Sequence, residues 1–232
     1  MNKPPLLLIP GLACTRTLWA HQIAHLMDRA DVMVVDHSRS DTMPGIVDDI
    51  LTDAPDRFAL AGFSMGGYIA MELMKTAPER VDKMALIGTK HSQDDAVSVR
   101  RREVSIRLTE DGRYGDAIAQ MLPVLVHPAR LKDKTLTGAI RAMAADLGPE
   151  AFVRQQKANL GRGVSDDILK AMRCPTLILC GREDKLTPPS VHEEIQALIP
   201  GAKLTIIENC GHMAPIEQPT EVSIALEGWL KI

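Results

Sequence analysis

Residues 58–74, FALAGFSMGGYIAMELM, place one serine between glycines where one structural period gives way to another. Phe58 to Phe63 is a continuous apolar run with the length of a buried strand, and Tyr68, Ile69, Met71, Leu73 and Met74 then recur at helical intervals. The order is strand, sharp turn, helix, with Ser64 in the turn. A bend tight enough to lift one side chain out of a sheet forces strained backbone angles on that residue, costing on the order of 1–3 kcal/mol. Its neighbours must lack bulk. Gly62 and Gly66, two residues to either side of Ser64, supply that clearance, and Gly67 lets the helix start lie close to the sheet.

Outward from this stretch, five further apolar runs read as strands: Leu6 to Ile9, Val32 to Val35, Lys83 to Ile87, Thr176 to Cys180 and Lys203 to Ile207. Helical or polar segments separate them all, which implies parallel pairing through helical crossovers. Strands covered on both faces are apolar throughout and do not alternate. The expectation is an α/β protein with a doubly wound, mostly parallel six-stranded sheet. Almost ninety residues without a strand-like run separate Gly88 from Thr176. Stretches such as AVSVRRREVSIRL, YGDAIAQMLPVLV, TLTGAIRAMAADL and EAFVRQQKANL in that interval are periodic at helical spacing, so residues 91–165 read as an inserted helical cap on a core formed by 1–90 and 166–232.

Composition bounds the function. With 232 residues and 45% hydrophobic content, the chain builds one sizeable core. A net charge of −3 carries no footprint of nucleic-acid binding, and a small-molecule partner fits better. The apolar run near the N-terminus is shorter than the roughly 7–15 residues of a signal core. No run approaches the about 18 residues of a membrane span. Cys14, Cys174, Cys180 and Cys210 stand at unrelated spacings, which points to reduced thiols and a cytoplasmic location.

The motif G-x-S-x-G between strand and helix is a nucleophile elbow, and it sets the Met65 N–H at a helix N-terminus, aimed where an oxyanion would form. A serine hydroxyl is a poor nucleophile without a base and a group to orient that base. Among seven histidines, His212 in IIENCGHMAPIEQP follows the last strand by a short loop and so shares the sheet edge of Ser64. His21, His25 and His192 read as solvated helix positions, His91 and His127 belong to the insert, and His37 follows the second strand, where it could line a site without being its base. The orienting carboxylate should follow the preceding strand, in PTLILCGREDKLTPP. Asp184 is the candidate, with Thr187 and Pro188 behind it as helix N-cap and first turn; Glu183 is the nearest rival. The chain order Ser64, Asp184, His212 is that of one serine hydrolase fold in particular.

On the motifs LLLIPGL, GFSMGG, LILCGREDKLTP and GHMAPIEQP, the chain resembles an α/β-hydrolase of the esterase and lipase-like group with a helical cap. The resemblance spans nearly the whole length. It implies a second oxyanion donor from the Leu12 N–H, in a loop where Pro10 stands in place of the family's histidine. It also implies a sheet lacking the family's first two strands, which makes the Val32 to Val35 strand an edge and a candidate homodimer seam. The implied activity is a serine hydrolase that cleaves a small to medium carboxylic ester through an acyl-enzyme on Ser64, with no metal or organic cofactor. A lactonase, a thioesterase and a carbon–carbon bond hydrolase use the same residues. A non-catalytic ligand-binding module is the alternative from outside enzymes. Family members that are dehalogenases or epoxide hydrolases carry aspartate where Ser64 stands.

Three lesser features complete the reading. Met65, Met121, Met143 and Leu122 read as core first and as an aliphatic pocket wall second. Arg100, Arg101, Arg102 and Arg107, in an insert of net charge +3 beside a remainder of −6, read as a solvated helix face first and as a dock for an anionic substrate or acidic carrier protein second. Cys14 reads as a space-filling residue and Glu217 as structural.

Overall fold

Six strands form one sheet in the computed structural model, which describes residues 3–231. In chain order the elements are β1 (Pro5–Ile9), α1 (Ala20–Leu26), β2 (Asp31–Val34), α2 (Met43–Asp53), β3 (Phe58–Phe63), α3 (Met65–Thr76) and β4 (Val81–Ile87). Four long helices follow: α4 (Ala96–Glu110), α5 (Tyr114–Leu125), α6 (Lys134–Leu147) and α7 (Pro149–Leu160). The chain then returns through α8 (Asp166–Ala171), β5 (Thr176–Gly181), α9 (Pro189–Leu198), β6 (Lys203–Ile207), α10 (Ala214–Glu217) and α11 (Pro219–Leu230).

All five strand pairings are parallel, in the order β2-β1-β3-β4-β5-β6. Every apolar run named from the sequence is a strand, and β2 is an edge. The sheet is doubly wound because its side chains alternate between two apolar layers. Leu6, Leu8, Ala61, Phe63 and Ile87 join Leu26, Leu226 and Trp229 of α1 and α11 on one face. Leu7, Ile9, Leu60 and Leu86 join Ile46, Ile69 and Ile195 of α2, α3 and α9 on the other.

Winding runs from β1 outward to β2 and then back across to β3, so β1 and β3 are neighbours whose exit loops lead in opposite directions. The crevice at such a switch point, outside the carboxyl ends of the strands, is where open α/β sheets take ligands. Gly11 and Leu12 leave β1 there, and Ser64 leaves β3 there.

Local chemistry shapes helices α4 to α7. Asp95 caps α4 by accepting from the Ser98 N–H at 2.7 Å, and Asp133 caps α6 through Thr135 and Leu136. Gly148, at φ 87°, ends α6, and Pro149 opens α7. Leu122, Leu125, Leu136, Ile140 and Met143 continue the core layer that holds Phe63 and Met213. Asp94, ahead of α4, takes a forked pair of bonds on its carboxylate from Arg162, just after α7, at 2.7 and 2.9 Å.

Some expectations change. Thr187 does not cap the following helix: Pro188 is the capping residue and makes no side-chain bond there, while Thr187 turns its hydroxyl to Asp184. His192 is fully buried, not solvated, because it shares a stripe with Ile195 and Ile199. His21 and His25 bond Ser223 and Glu227 of α11 at 2.8 and 2.7 Å, so the side of α1 that carries them faces a helix. No helix among the described residues is long and apolar enough to cross a membrane.

Candidate active site

Only Ser64 separates β3 from α3, and it adopts φ 53°, ψ −113°, a left-handed conformation that costs a non-glycine residue energy. The surroundings hold it there. Its N–H donates to the Ile87 carbonyl at 2.8 Å, and its carbonyl accepts from the Gly67 N–H and the Thr89 hydroxyl, both at 2.9 Å. A Cβ on Gly62 would stand 2.2 Å from the Gly66 carbonyl oxygen, and one on Gly66 would stand 2.3 Å from that of Ile9. Both glycines are therefore required by backbone approach.

Thr89 is held in turn from below. Its N–H donates to His192 Nε2 at 3.1 Å, and His192 Nδ1 donates to the Pro188 carbonyl at 3.2 Å. Burial lowers the His192 pKa, which keeps Nε2 free to accept.

His212 Nε2 lies 2.9 Å from Ser64 Oγ, and His212 Nδ1 lies 2.8 Å from Asp184 Oδ2. The three residues expected to meet thus do so, across 148 and 28 positions of sequence. The rings of Phe63 and His212 pack with centroids 5.1 Å apart. Asp184 is buried and satisfied: Oδ1 accepts the N–H groups of Leu186 and Thr187, each at 2.8 Å, and Oδ2 accepts the Thr187 hydroxyl at 2.7 Å. Burial alone would raise the Asp184 pKa, but the His212 ring and the Thr187 donors outweigh it and hold the carboxyl below its usual range. An ionised Asp184 fixes the Nδ1–H tautomer of His212, leaving Nε2 to accept from Ser64. Glu183, the rival, faces elsewhere: its carboxylate accepts the Cys210 N–H at 2.9 Å and so shapes the loop that carries His212.

The His212 loop is tied to the end of α5. The N–H groups of His212 and Met213 donate to the Leu125 carbonyl at 3.0 and 3.1 Å. Buried Glu217 accepts the His127 N–H at 2.8 Å on one oxygen and the Met213 N–H at 3.1 Å on the other, as a structural acid should.

Opposite the elbow, the β1 exit loop lies close enough that a Cβ on Gly11 would come within 3.3 Å of Ser64 Cβ. Leu12 follows Gly11, Met65 opens α3, and neither N–H donates to another group among the described residues. Ala13 next to Leu12 is left-handed at φ 57°. What holds this loop, in the absence of a histidine at position 10, comes from elsewhere in the chain. The Ala13 N–H donates to Gln155 Oε1 of α7 at 3.0 Å, and His37 Nε2 lies 3.1 Å from both the Gly11 carbonyl and Gln155 Nε2. The Gln155 contacts have no sequence signal, because Gln155 lies 142 residues from Ala13 and 118 from His37.

Burial drives the His37 pKa down to about 4. The unfolded chain therefore binds a proton between about pH 6.5 and 4 that the folded chain refuses, and folding loses stability as pH falls through that window. Between pH 7 and 5 urea unfolding should show wild type losing roughly 2 kcal/mol more than His37→Gln; parallel losses would remove His37 as the cause.

Above these groups opens a cavity of about 800 Å³. Met121 lines it, Met143 and Leu122 belong to the core, and Met65 does both. Cys14 lines it too, but burial pushes its thiol up to about 12, which removes it as a nucleophile at neutral pH. The arginine run divides: Arg100 and Arg101 are exposed at the cavity, Arg107 is exposed 3.9 Å from Glu103, and Arg102 is half-buried against Asp94 at 2.6 Å.

Fold and site together define a hydrolase: a serine set on a strained bend at the switch point of a parallel sheet, against an imidazole whose far nitrogen is held by a buried carboxylate. The model of the alpha/beta hydrolase family matches residues 6–225, and the chain belongs to that family. It is 24% identical to a pimeloyl-[acyl-carrier protein] methyl ester esterase of Aromatoleum aromaticum, over 98% of either chain. It is 27% identical to a Rhizobium rhizogenes protein designated a carbamate hydrolase, over 93% of this chain and 88% of the relative. A thermophilic esterase from Thermogutta terrifontis superposes with a TM-score of 0.89 at 28% identity, covering 99% of this chain and 90% of the other. The protein is a hydrolytic enzyme.

Proposed function

We propose that the enzyme cleaves small to medium carboxylic esters through an acyl-enzyme on Ser64, with His212 as general base and acid and Asp184 orienting it. The observation that carries this reading is the pair of bonds, 2.9 Å to Ser64 Oγ and 2.8 Å to Asp184 Oδ2, on opposite nitrogens of one buried imidazole. Nε2 takes the hydroxyl proton as Oγ bonds to the ester carbon. The carbonyl oxygen becomes an oxyanion between the N–H groups of Leu12 and Met65, preorganised donors of the kind that contribute most to such steps. The bond to the alcohol oxygen then breaks, and that oxygen takes the proton from His212. A water molecule repeats the sequence on the acyl carbon, restoring Ser64 and releasing the acid. Each proton moves between His212 and a reacting oxygen, so the cycle balances without a further co-reactant.

Esters are favoured because the esterases of Aromatoleum aromaticum and Thermogutta terrifontis share the whole chain length, and because apolar side chains such as Ile118, Met121, Leu125 and Ile140 line the cavity to receive an acyl or alcohol group. The test is a panel of chromogenic esters of rising acyl length beside thioesters and lactones, with fluorophosphonate labelling. Ester cleavage and a label on Ser64 are expected; no ester turnover, or a label elsewhere, rejects the reading.

The second donor depends on the insert. Gln155→Leu removes the acceptor for the Ala13 N–H and leaves that buried donor unpaired, which should misplace Leu12. A loss of roughly 1–2 kcal/mol in the transition state is expected, seen as about a tenfold fall in kcat with KM nearly unchanged. A rise in KM at constant kcat would assign Gln155 to substrate binding instead.

A further inference from the structure

One wall of the cavity beside Ser64 carries more positive charge than its own structure uses. Lys90 Nζ lies 2.9 Å from Asp94 Oδ1, Arg102 Nε lies 2.6 Å from Oδ2, and Arg162 reaches both oxygens at 2.7 and 2.9 Å. Three cations therefore share one carboxylate whose side chain is 4% exposed, which leaves a surplus of two positive charges. The guanidinium of Arg162 lies over the Tyr68 ring at 4.3 Å and away from the cavity, while Lys90, Arg102, Asp94 and Tyr68 line it.

A clasp between the two ends of the insert needs only the Arg162 fork, which by itself bonds both oxygens of Asp94. Lys90 and Arg102 exceed that need, at side-chain exposures of 18% and 17% where uncompensated charge is costly. A second, independent feature lies on the same wall. Asn159, 1% exposed, lines the cavity with its Oδ1 unpartnered among the described residues, and its Nδ2 lies 3.3 Å from the Met65 sulfur. A buried amide left short of a partner costs about 1–3 kcal/mol unless something fills it. Met65 adjoins Ser64, so Asn159 connects the reacting centre with the cationic group. The cavity thus has two characters: the α5 and α6 side is apolar, through Ile118, Met121, Leu125 and Ile140, and the side formed by α4, α7 and Lys90 is polar and cationic.

We infer that the preferred substrates are esters bearing an anionic group, a carboxylate or phosphate, remote from the scissile bond, seated against Lys90 and Arg102, with Asn159 Oδ1 open to accept from an N–H or O–H of the intervening part of the substrate. The inference rests on the esterase reading. Delocalised Arg102, with its Nη1 already donating to Gln156 at 2.8 Å, is held in place, and Lys90 supplies a compact charge with donors to spare.

The test uses pairs of esters equal in length, one ending in a carboxylate and the other in a neutral amide. One series varies the acyl side and one the alcohol side, and a phosphate-terminated member of each separates the two anions. In at least one series the anionic ester should exceed its neutral partner in kcat/KM by tenfold or more. That ratio, read within each enzyme, should fall towards one in Lys90→Met and in Arg102→Gln, and should shrink as salt rises. A ratio near or below one in both series, with neutral esters cleaved, overturns the inference and leaves the esterase reading standing. Variants that lower both members equally also overturn it, since the cations would then be structural only. If no ester of any kind is cleaved, the esterase reading fails and takes this inference with it.

Discussion

Ser64→Ala should lower kcat on a chromogenic ester by about 10⁵-fold or more, since removing the nucleophile of such a group of residues costs about as much as removing all of them. The methyl group cannot attack a carbonyl, and the 2.9 Å contact with His212 Nε2 disappears, while the bond between Asp184 and His212 is untouched. Folding should survive. The substituted residue would inherit the same φ of 53°, and the bonds that hold the bend use the backbone at this position and the side chain of Thr89. Steady-state kinetics beside thermal unfolding separates the two effects. Activity within tenfold of wild type, at unchanged melting temperature, would remove Ser64 from the chemistry.

Gly62→Ala should produce a large loss of stability from a single methyl group. Its Cβ would lie 2.2 Å from the Gly66 carbonyl oxygen, 2.5 Å from the Gly66 carbonyl carbon and 2.7 Å from the Gly67 nitrogen, all backbone atoms that cannot swing aside as a side chain can. Overpacking of this kind costs about 1–3 kcal/mol or more, and here relief requires β3 to part from the start of α3. A destabilisation of about 3 kcal/mol is expected with a loss of activity, because the parts that separate are those that set Ser64. Gly138→Ala is the matching control. Gly138 lies inside α6 with nothing within 4 Å of an added Cβ, so the same change should stabilise by about 0.5–1 kcal/mol. Urea unfolding of both variants checks the pair; equal effects would mean that backbone clearance at Gly62 is not the reason for that glycine.

The strands are legible because each is an uninterrupted apolar run in a sheet covered on both faces, and the helices of the insert because their periodicity stands between glycine and proline breaks. Ser64, Asp184 and His212 can be named for a related reason. Each sits at the end of a readable strand, and the carboxyl ends of parallel strands share one edge. Two misreadings also have local causes. His192 stands beside Glu193 and Glu194 and reads with them, although its spacing to Ile195 and Ile199 places it on the buried stripe. Thr187 has the chemistry of a helix cap, but a buried carboxylate three residues earlier offers its hydroxyl a stronger acceptor at 2.7 Å.

By itself the chain order determined the alternation of strands and helices, the bend at Ser64 and the edge of the sheet where chemistry could occur, since all of these follow from periodicities and steric limits that act over a few residues. Tertiary structure alone decided that Gln155 holds the Leu12 loop and that three cations gather on Asp94. A hydrogen bond between side chains far apart in sequence leaves no periodic trace. It depends on which loops the open sheet brings within hydrogen-bonding reach of each other.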